Sequence, residues 1–249
     1  MNQRAPAAAP PTPTAPESAS RSLPEIPWSP KDTGWGLVAG LILAVLIAPA
    51  LVLPFDPELD SIGALLAAQA LLGTSLLFVS IGIASEWRFR PLGVALRRLG
   101  LRNLRFSGLG IGLLTWFAYL IAVLVFVSLP ITPEPQQEDI GSELGIGGES
   151  ALVAVLAVLL IVGLASISEE LFFRGFLFAG LRSRWPFWAA GLLAGAIFGL
   201  IHAPTGITTV IPLGALGLAL CWLYERTGSL WPCMLVHAIN NGLALAVVA

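Results

Sequence analysis

The apolar positions of this chain come in long blocks, separated by short stretches in which charge, glycine and proline collect. A helix crossing the hydrocarbon core of a bilayer needs about 20 predominantly apolar residues. Blocks of that kind lie at roughly 34–53, 61–84, 107–129, 151–173, 187–203, 207–224 and 229–248. The last three are short or interrupted by Gly and Pro. The pattern therefore predicts an all-α protein, a polytopic transmembrane helical bundle of about seven spans, with six to eight as the range.

Ahead of the first block, residues 1–30 hold eight of the chain's nineteen prolines, with Ala, Ser and Thr around them. Too little apolar mass is present there to bury, so this stretch is expected to be a disordered tail preceding a helical membrane domain at 31–249. The tail lacks the apolar core of a cleavable signal peptide, which leaves the first block to act as an uncleaved anchor.

Composition agrees with the blocks: 56% of the 249 residues are hydrophobic and 11% charged, against roughly 25% charged in a soluble domain. The formal net charge of -2 is not pooled into a basic face, which argues against a nucleic-acid partner. Cys221 and Cys233 both lie in apolar blocks and read as small buried residues rather than a disulfide pair.

Charge distribution also predicts topology. Arg88, Arg90, Arg97, Arg98, Arg102 and Arg105 fall between the second and third blocks, whereas the loops holding Asp56, Glu58 and Asp60, and Glu134, Glu138, Asp139, Glu143 and Glu149, contain no Lys or Arg. The positive-inside rule then puts the Arg-rich loop and the N-terminus in the cytoplasm of a plasma-membrane protein whose surroundings are lipid. Within that loop, Pro91 to Leu101 alternates apolar and basic residues at helical spacing and is expected to lie along the membrane surface.

Ionisable residues inside a span are costly and mark function unless they pair structurally. The fourth block contains Ser168-Glu169-Glu170-Leu171-Phe172-Phe173-Arg174. Glu170 and Arg174, four apart, share a helix face and can pair, while Glu169 points elsewhere and needs a partner from another helix. Glu169 precedes Trp185 by sixteen residues and His202 follows it by seventeen. In an antiparallel hairpin turning there, both stand about 25 Å above the turn. His237 and Asn241, four apart in the last block, share a face as well. A carboxylate and a neutral imidazole can together activate a water, and a second imidazole and an amide can stabilise the oxyanion that follows attack on a carbonyl. Two His and one Glu can equally hold zinc, so Glu169, His202 and His237 form an alternative metal set.

Three elements in order, Glu169-Glu170…Arg174, Phe198…His202 and His237…Asn241, resemble the motifs of the CPBP family of intramembrane proteases. That family includes the type II CAAX prenyl endopeptidases and the bacteriocin-processing Abi proteins. The resemblance covers about residues 150–245. It implies an intramembrane endopeptidase in which Glu169 and His202 activate water, and His237 and Asn241 form the oxyanion site. Glu170, Arg174 and Phe198 support them. It favours a metal-free, glutamate-dependent site over a zinc-dependent one, with a peptide or membrane protein as substrate. A non-catalytic immunity or scaffold protein of the same fold would keep the same motifs.

Overall fold

A computed structural model describes residues 23–56, 61–88, 90–102, 104, 106–129, 151–205 and 207–248, and these residues form helices joined by turns, with no strand among them. In chain order the helices are α1 (Pro30–Val52), α2 (Ile62–Ala84), α3 (Leu92–Arg98), α4 (Phe106–Val127), α5 (Ala151–Arg182), α6 (Phe187–Leu200), α7 (Ile207–Thr227) and α8 (Trp231–Val248). Every apolar block of the sequence is helical. Among the described residues five helices are long and apolar enough to cross a membrane: α1, α2, α4, α5 and, over Thr208–Thr227, α7. The 14 residues of α6 reach about 21 Å and the 18 of α8 about 27 Å. The chain is a polytopic helical membrane protein.

Local chemistry sets the helix ends. Ser29 caps α1: its hydroxyl accepts from the Asp32 amide, the Asp32 carboxylate accepts from the Ser29 amide, and Pro30 stands at the first helical position, where no donor is needed. Ser61 caps α2 with its hydroxyl alone, which accepts from the Ala64 amide. Gly228, at φ 63°, ends α7 in a left-handed conformation open to glycine. Where one unbroken helix was expected over 187–203, α6 stops at Leu200 and a single tight turn follows at Ala203–Thr205.

The expected tail differs from the structure at its end. Residues 1–22 lie outside the described residues, but 23–29 form an extended strap against the bundle. Trp28 is buried, with its ring centroid 5.8 Å from that of Phe176 on α5, and Leu23 and Ile26 pack against the same hydrophobic core. Two aliphatic residues and a tryptophan give this short piece apolar surface that the proline-rich stretch before it lacks.

Helix α5 is the axis of the molecule. Gly36 and Gly40 of α1 leave room for the rings of Phe176 and Phe172, and Gly73 of α2 faces Leu164 and Ser168. On the far side α6 and α7 meet through glycine: a Cβ on Gly195 would lie 2.8 Å from the Gly214 carbonyl oxygen. Such close backbone approach through small residues is how helices associate where lipid is as apolar as leucine. The Arg-rich segment is helical as expected at α3, and it is anchored inward. Leu99 is buried, its carbonyl accepts from the Tyr224 hydroxyl at 3.2 Å, and the Leu230 amide donates to the Gly100 carbonyl at 3.0 Å. Glu86 gathers Arg90, Arg98 and Arg88 around one carboxylate.

Candidate active site

Within α5, every residue from Ala165 to Gly180 except Ile167 is buried. Two stretches, Val158–Leu164 and Glu170–Phe178, are wound in wider π-type turns, a departure from α geometry that concentrates at functional positions. Ser166, Glu169, Glu170, Phe173 and Arg174 recur at the three- and four-residue spacing of one helix stripe. This is the stripe that meets α6, α7 and α8.

The Glu170–Arg174 pair expected from spacing is present, with Arg174 Nη1 donating to Glu170 Oε1 at 2.8 Å. Glu170 is 0% exposed and Arg174 1%, so this is a fully buried ion pair. Arg174 Nη2 also points at the Gly217 carbonyl oxygen of α7, 3.5 Å away. Its guanidinium lies 4.5 Å from the centre of the Phe198 ring, a cation–π contact that gives Phe198 of α6 a defined place beside the charge.

His237 of α8 stands between the two carboxylates. Its Nδ1 is 2.8 Å from Glu170 Oε1 and its Nε2 is 3.7 Å from Glu169 Oε2. A carboxylate accepts, so Nδ1 carries the proton and donates to Glu170, which leaves Nε2 facing Glu169. One Glu170 oxygen thereby receives both Arg174 and His237, and the imidazole is fixed in orientation and tautomer. Glu169 is 7% exposed, against 0% for Glu170. Two adjacent carboxylates thus have different surroundings, one locked in a charge network and one left with a little access.

At the end of α6, the Phe198 carbonyl has passed beyond the helix's regular ladder, because the His202 amide turns back to Gly199 instead. His202 Nδ1 donates to it at 2.7 Å, which in the neutral ring makes Nε2 the basic nitrogen. The Phe198 ring lies between both imidazoles, with centroids 4.8 Å from His202 and 5.7 Å from His237. Phe173 packs edge-on against it at 5.1 Å. The imidazole that Glu169 Oε2 approaches is His237. Asn241, a turn beyond, donates Nδ2 to the Ile161 carbonyl at 3.0 Å, inside the first wide stretch of α5. That contact ties α8 to α5 and leaves the second amide proton of Asn241 for another acceptor. Among the described residues, no three His, Cys, Asp or Glu side chains converge as a metal cage, and the alternative zinc set of Glu169, His202 and His237 is not gathered that way. Both nitrogens of His237 are instead directed at carboxylates.

Sequence reasoning missed two polar groups of this centre, the Ile161 and Gly217 carbonyls. Main-chain acceptors leave no mark in a sequence.

The region that carries this arrangement is also the region that comparison with known proteins picks out. Residues 150–243 match the family model described as type II CAAX prenyl endopeptidase Rce1-like. The resemblance read from the three motifs is therefore shown across α5 to α8. Among curated proteins, the chain is 33% identical over 106 residues to the Bacillus subtilis (strain 168) protein named "Putative membrane peptidase YdiL", a stretch covering 39% of this chain. The match spans 43% of that relative's length. No solved structure matches the chain. Both matches are to peptidases, and the curated relative is named as a membrane one.

Proposed function

We propose that this protein is an intramembrane endopeptidase that hydrolyses peptide bonds with a water activated by Glu169 and His202. The observation that carries this reading is the buried Arg174–Glu170–His237 chain, which orients one imidazole toward a second carboxylate that keeps some access. In the proposed reaction Glu169 takes a proton from water as the water oxygen bonds to the substrate's carbonyl carbon. His202, its basic Nε2 set by the Phe198 carbonyl, helps hold that water. The carbonyl oxygen becomes an oxyanion, and the donors for it are the second amide proton of Asn241 and, when its imidazole is protonated on both nitrogens, His237 through Nε2. Collapse breaks the C–N bond, and the proton held by Glu169 passes to the leaving amine. Glu170, Arg174 and Phe198 position these groups. No step runs through a metal.

The substrate class is a peptide or membrane protein reached from lipid, and the protein is read as residing in the plasma membrane with a cytoplasmic N-terminus. The test is turnover in reconstituted membranes. Glu169→Gln and His202→Ala should each cost about 10²–10⁴-fold, the usual cost of losing a general base, while still inserting and accumulating. Near-normal cleavage by either variant would sink the assignment.

A further inference from the structure

Four polar atoms on the site-bearing stripe of α5 are buried without a hydrogen-bond partner in the protein: the Ser166 hydroxyl, Glu169 Oε2, Glu170 Oε2 and, a turn further on, Arg174 Nε. Ser166 is 1% exposed. It precedes the two glutamates by three and four residues, a spacing that brings side chains onto one face with Cβ atoms about 5–6 Å apart. It also lies along α5 between the two polar ties to α8, Asn241 to the Ile161 carbonyl and His237 to Glu170.

Its neighbour Ser168 behaves differently. Ser168 faces Gly73 of α2 and gives its hydroxyl proton to the Leu164 and Ala165 carbonyls at 2.8 and 3.2 Å, the usual recourse of a serine inside a helix. Ser166 makes no such return bond. Buried polar groups in folded proteins are paired, and three unpaired oxygens within about one turn of helix call for a shared ligand.

The chemistry of the three atoms selects that ligand. Ionised carboxylate oxygens only accept, and a hydroxyl gives one proton. A molecule completing all three must offer two protons and one lone pair. Water has that set. A peptide carbonyl offers no proton, and a peptide N–H offers one.

We propose that Ser166 is a positioning residue of the site, donating to a buried water that in turn donates to Glu169 and Glu170. The water bridges the two carboxylates and fixes the orientation of Glu169, through which Ser166 acts. This rests on the reading of Glu169 as the base.

The test uses the full chain, intact and as Ser166→Ala and Ser166→Thr, reconstituted for kinetics on a cleavable peptide and taken to an experimental structure that resolves ordered solvent. Ser166→Ala should lower kcat about tenfold with KM within about twofold, the scale of one hydrogen bond to a charged group. It should also displace the acidic limb of the pH–rate profile, while Ser166→Thr, which keeps a hydroxyl, recovers most of the rate. A solvent peak within hydrogen-bonding distance of the three oxygens should be present in the intact protein and lost in Ser166→Ala. Wild-type kcat in Ser166→Ala, equal impairment of both variants, or no solvent peak in the intact protein would each overturn the proposal. The peak is read without turnover. An active Glu169→Gln variant would therefore refute the hydrolytic reading while leaving the water site to be decided by density.

Discussion

Helices α4 and α5 are each long and apolar enough to span a bilayer, yet the molecule uses them in opposite ways. Along α4, Leu114, Phe117, Ile121, Leu124 and Val125 are exposed, and burial is confined to Gly108 and Gly112, which rest against Pro232 of α8. Along α5 burial is nearly continuous from Ala165, and that buried stretch holds two glutamates, an arginine and two serines. In water the apolar helix would seek the core. In lipid, apolar surface is satisfied where it stands, and what must be enclosed is charge. The comparison teaches that burial in this protein follows polarity and small residues.

The largest departure from this contrast should come from splitting the buried pair. Arg174→Ala leaves Glu170 without its counter-charge, and removing one partner of a buried pair costs about 3–5 kcal/mol. Melting of detergent-solubilised protein should show that loss, whereas Leu114→Ala on the lipid face of α4 should melt like wild type. The double variant Glu170→Gln with Arg174→Gln should recover part of the loss, since neither charge is then stranded. If Arg174→Ala melts normally but is catalytically dead, Arg174 belongs to the chemistry instead of the scaffold.

A smaller effect compares glycines on the two helices. A Cβ on Gly175 of α5 would lie 2.5 Å from the Leu99 carbonyl oxygen, while one on Gly110 of α4 would meet nothing within 4 Å. Gly175→Ala should cost about 1–3 kcal/mol, as overpacking does. Gly110→Ala should be neutral or slightly stabilising, because alanine favours a helix over glycine by about 1 kcal/mol. Equal melting temperatures for the two variants would show that α5 is not packed as tightly as described.

The smallest effect lies outside the spans. Glu86 is held below its ordinary value of 4.5, chiefly by the Arg98 hydrogen bond, against a lesser opposing push from desolvation. A carboxylate depressed by folding contributes stability that is complete above its unfolded value and is lost as pH falls through the lower folded one. Hydrogen exchange around α3, corrected for intrinsic rates, should therefore increase modestly as pH falls from 4.5, and Glu86→Gln should remove that dependence. An unchanged pH response in Glu86→Gln would place the effect elsewhere.

Much of the site could be read from the chain because i,i+4 spacing is local. Glu170 with Arg174 follows from one turn of helix, and the motif order brings α5, α6 and α8 together. The expected level of His202 against Glu169 rested on a count of residue rise. A count of rise says nothing about rotation, however, and the wide turns of α5 redirect the side chains that follow them. Which imidazole Glu169 Oε2 approaches is settled by backbone winding that no single residue announces. Ser166 was legible only as a serine near the glutamates. Its distinction from Ser168 lies in a missing return bond, which appears only in three dimensions. Likewise Trp28 sits in a proline-rich context that reads as tail until Phe176 is placed beside it.

The central claim is that this folded chain hydrolyses a peptide bond with water. The most direct test follows peptide release by the purified protein reconstituted in vesicles, in ¹⁸O-labelled water with a chelator present. The account predicts released fragments whose new carboxyl terminus carries ¹⁸O, at a rate the chelator leaves unchanged. Folded, inserted protein that releases no fragment, or releases it only when zinc is restored, would contradict it.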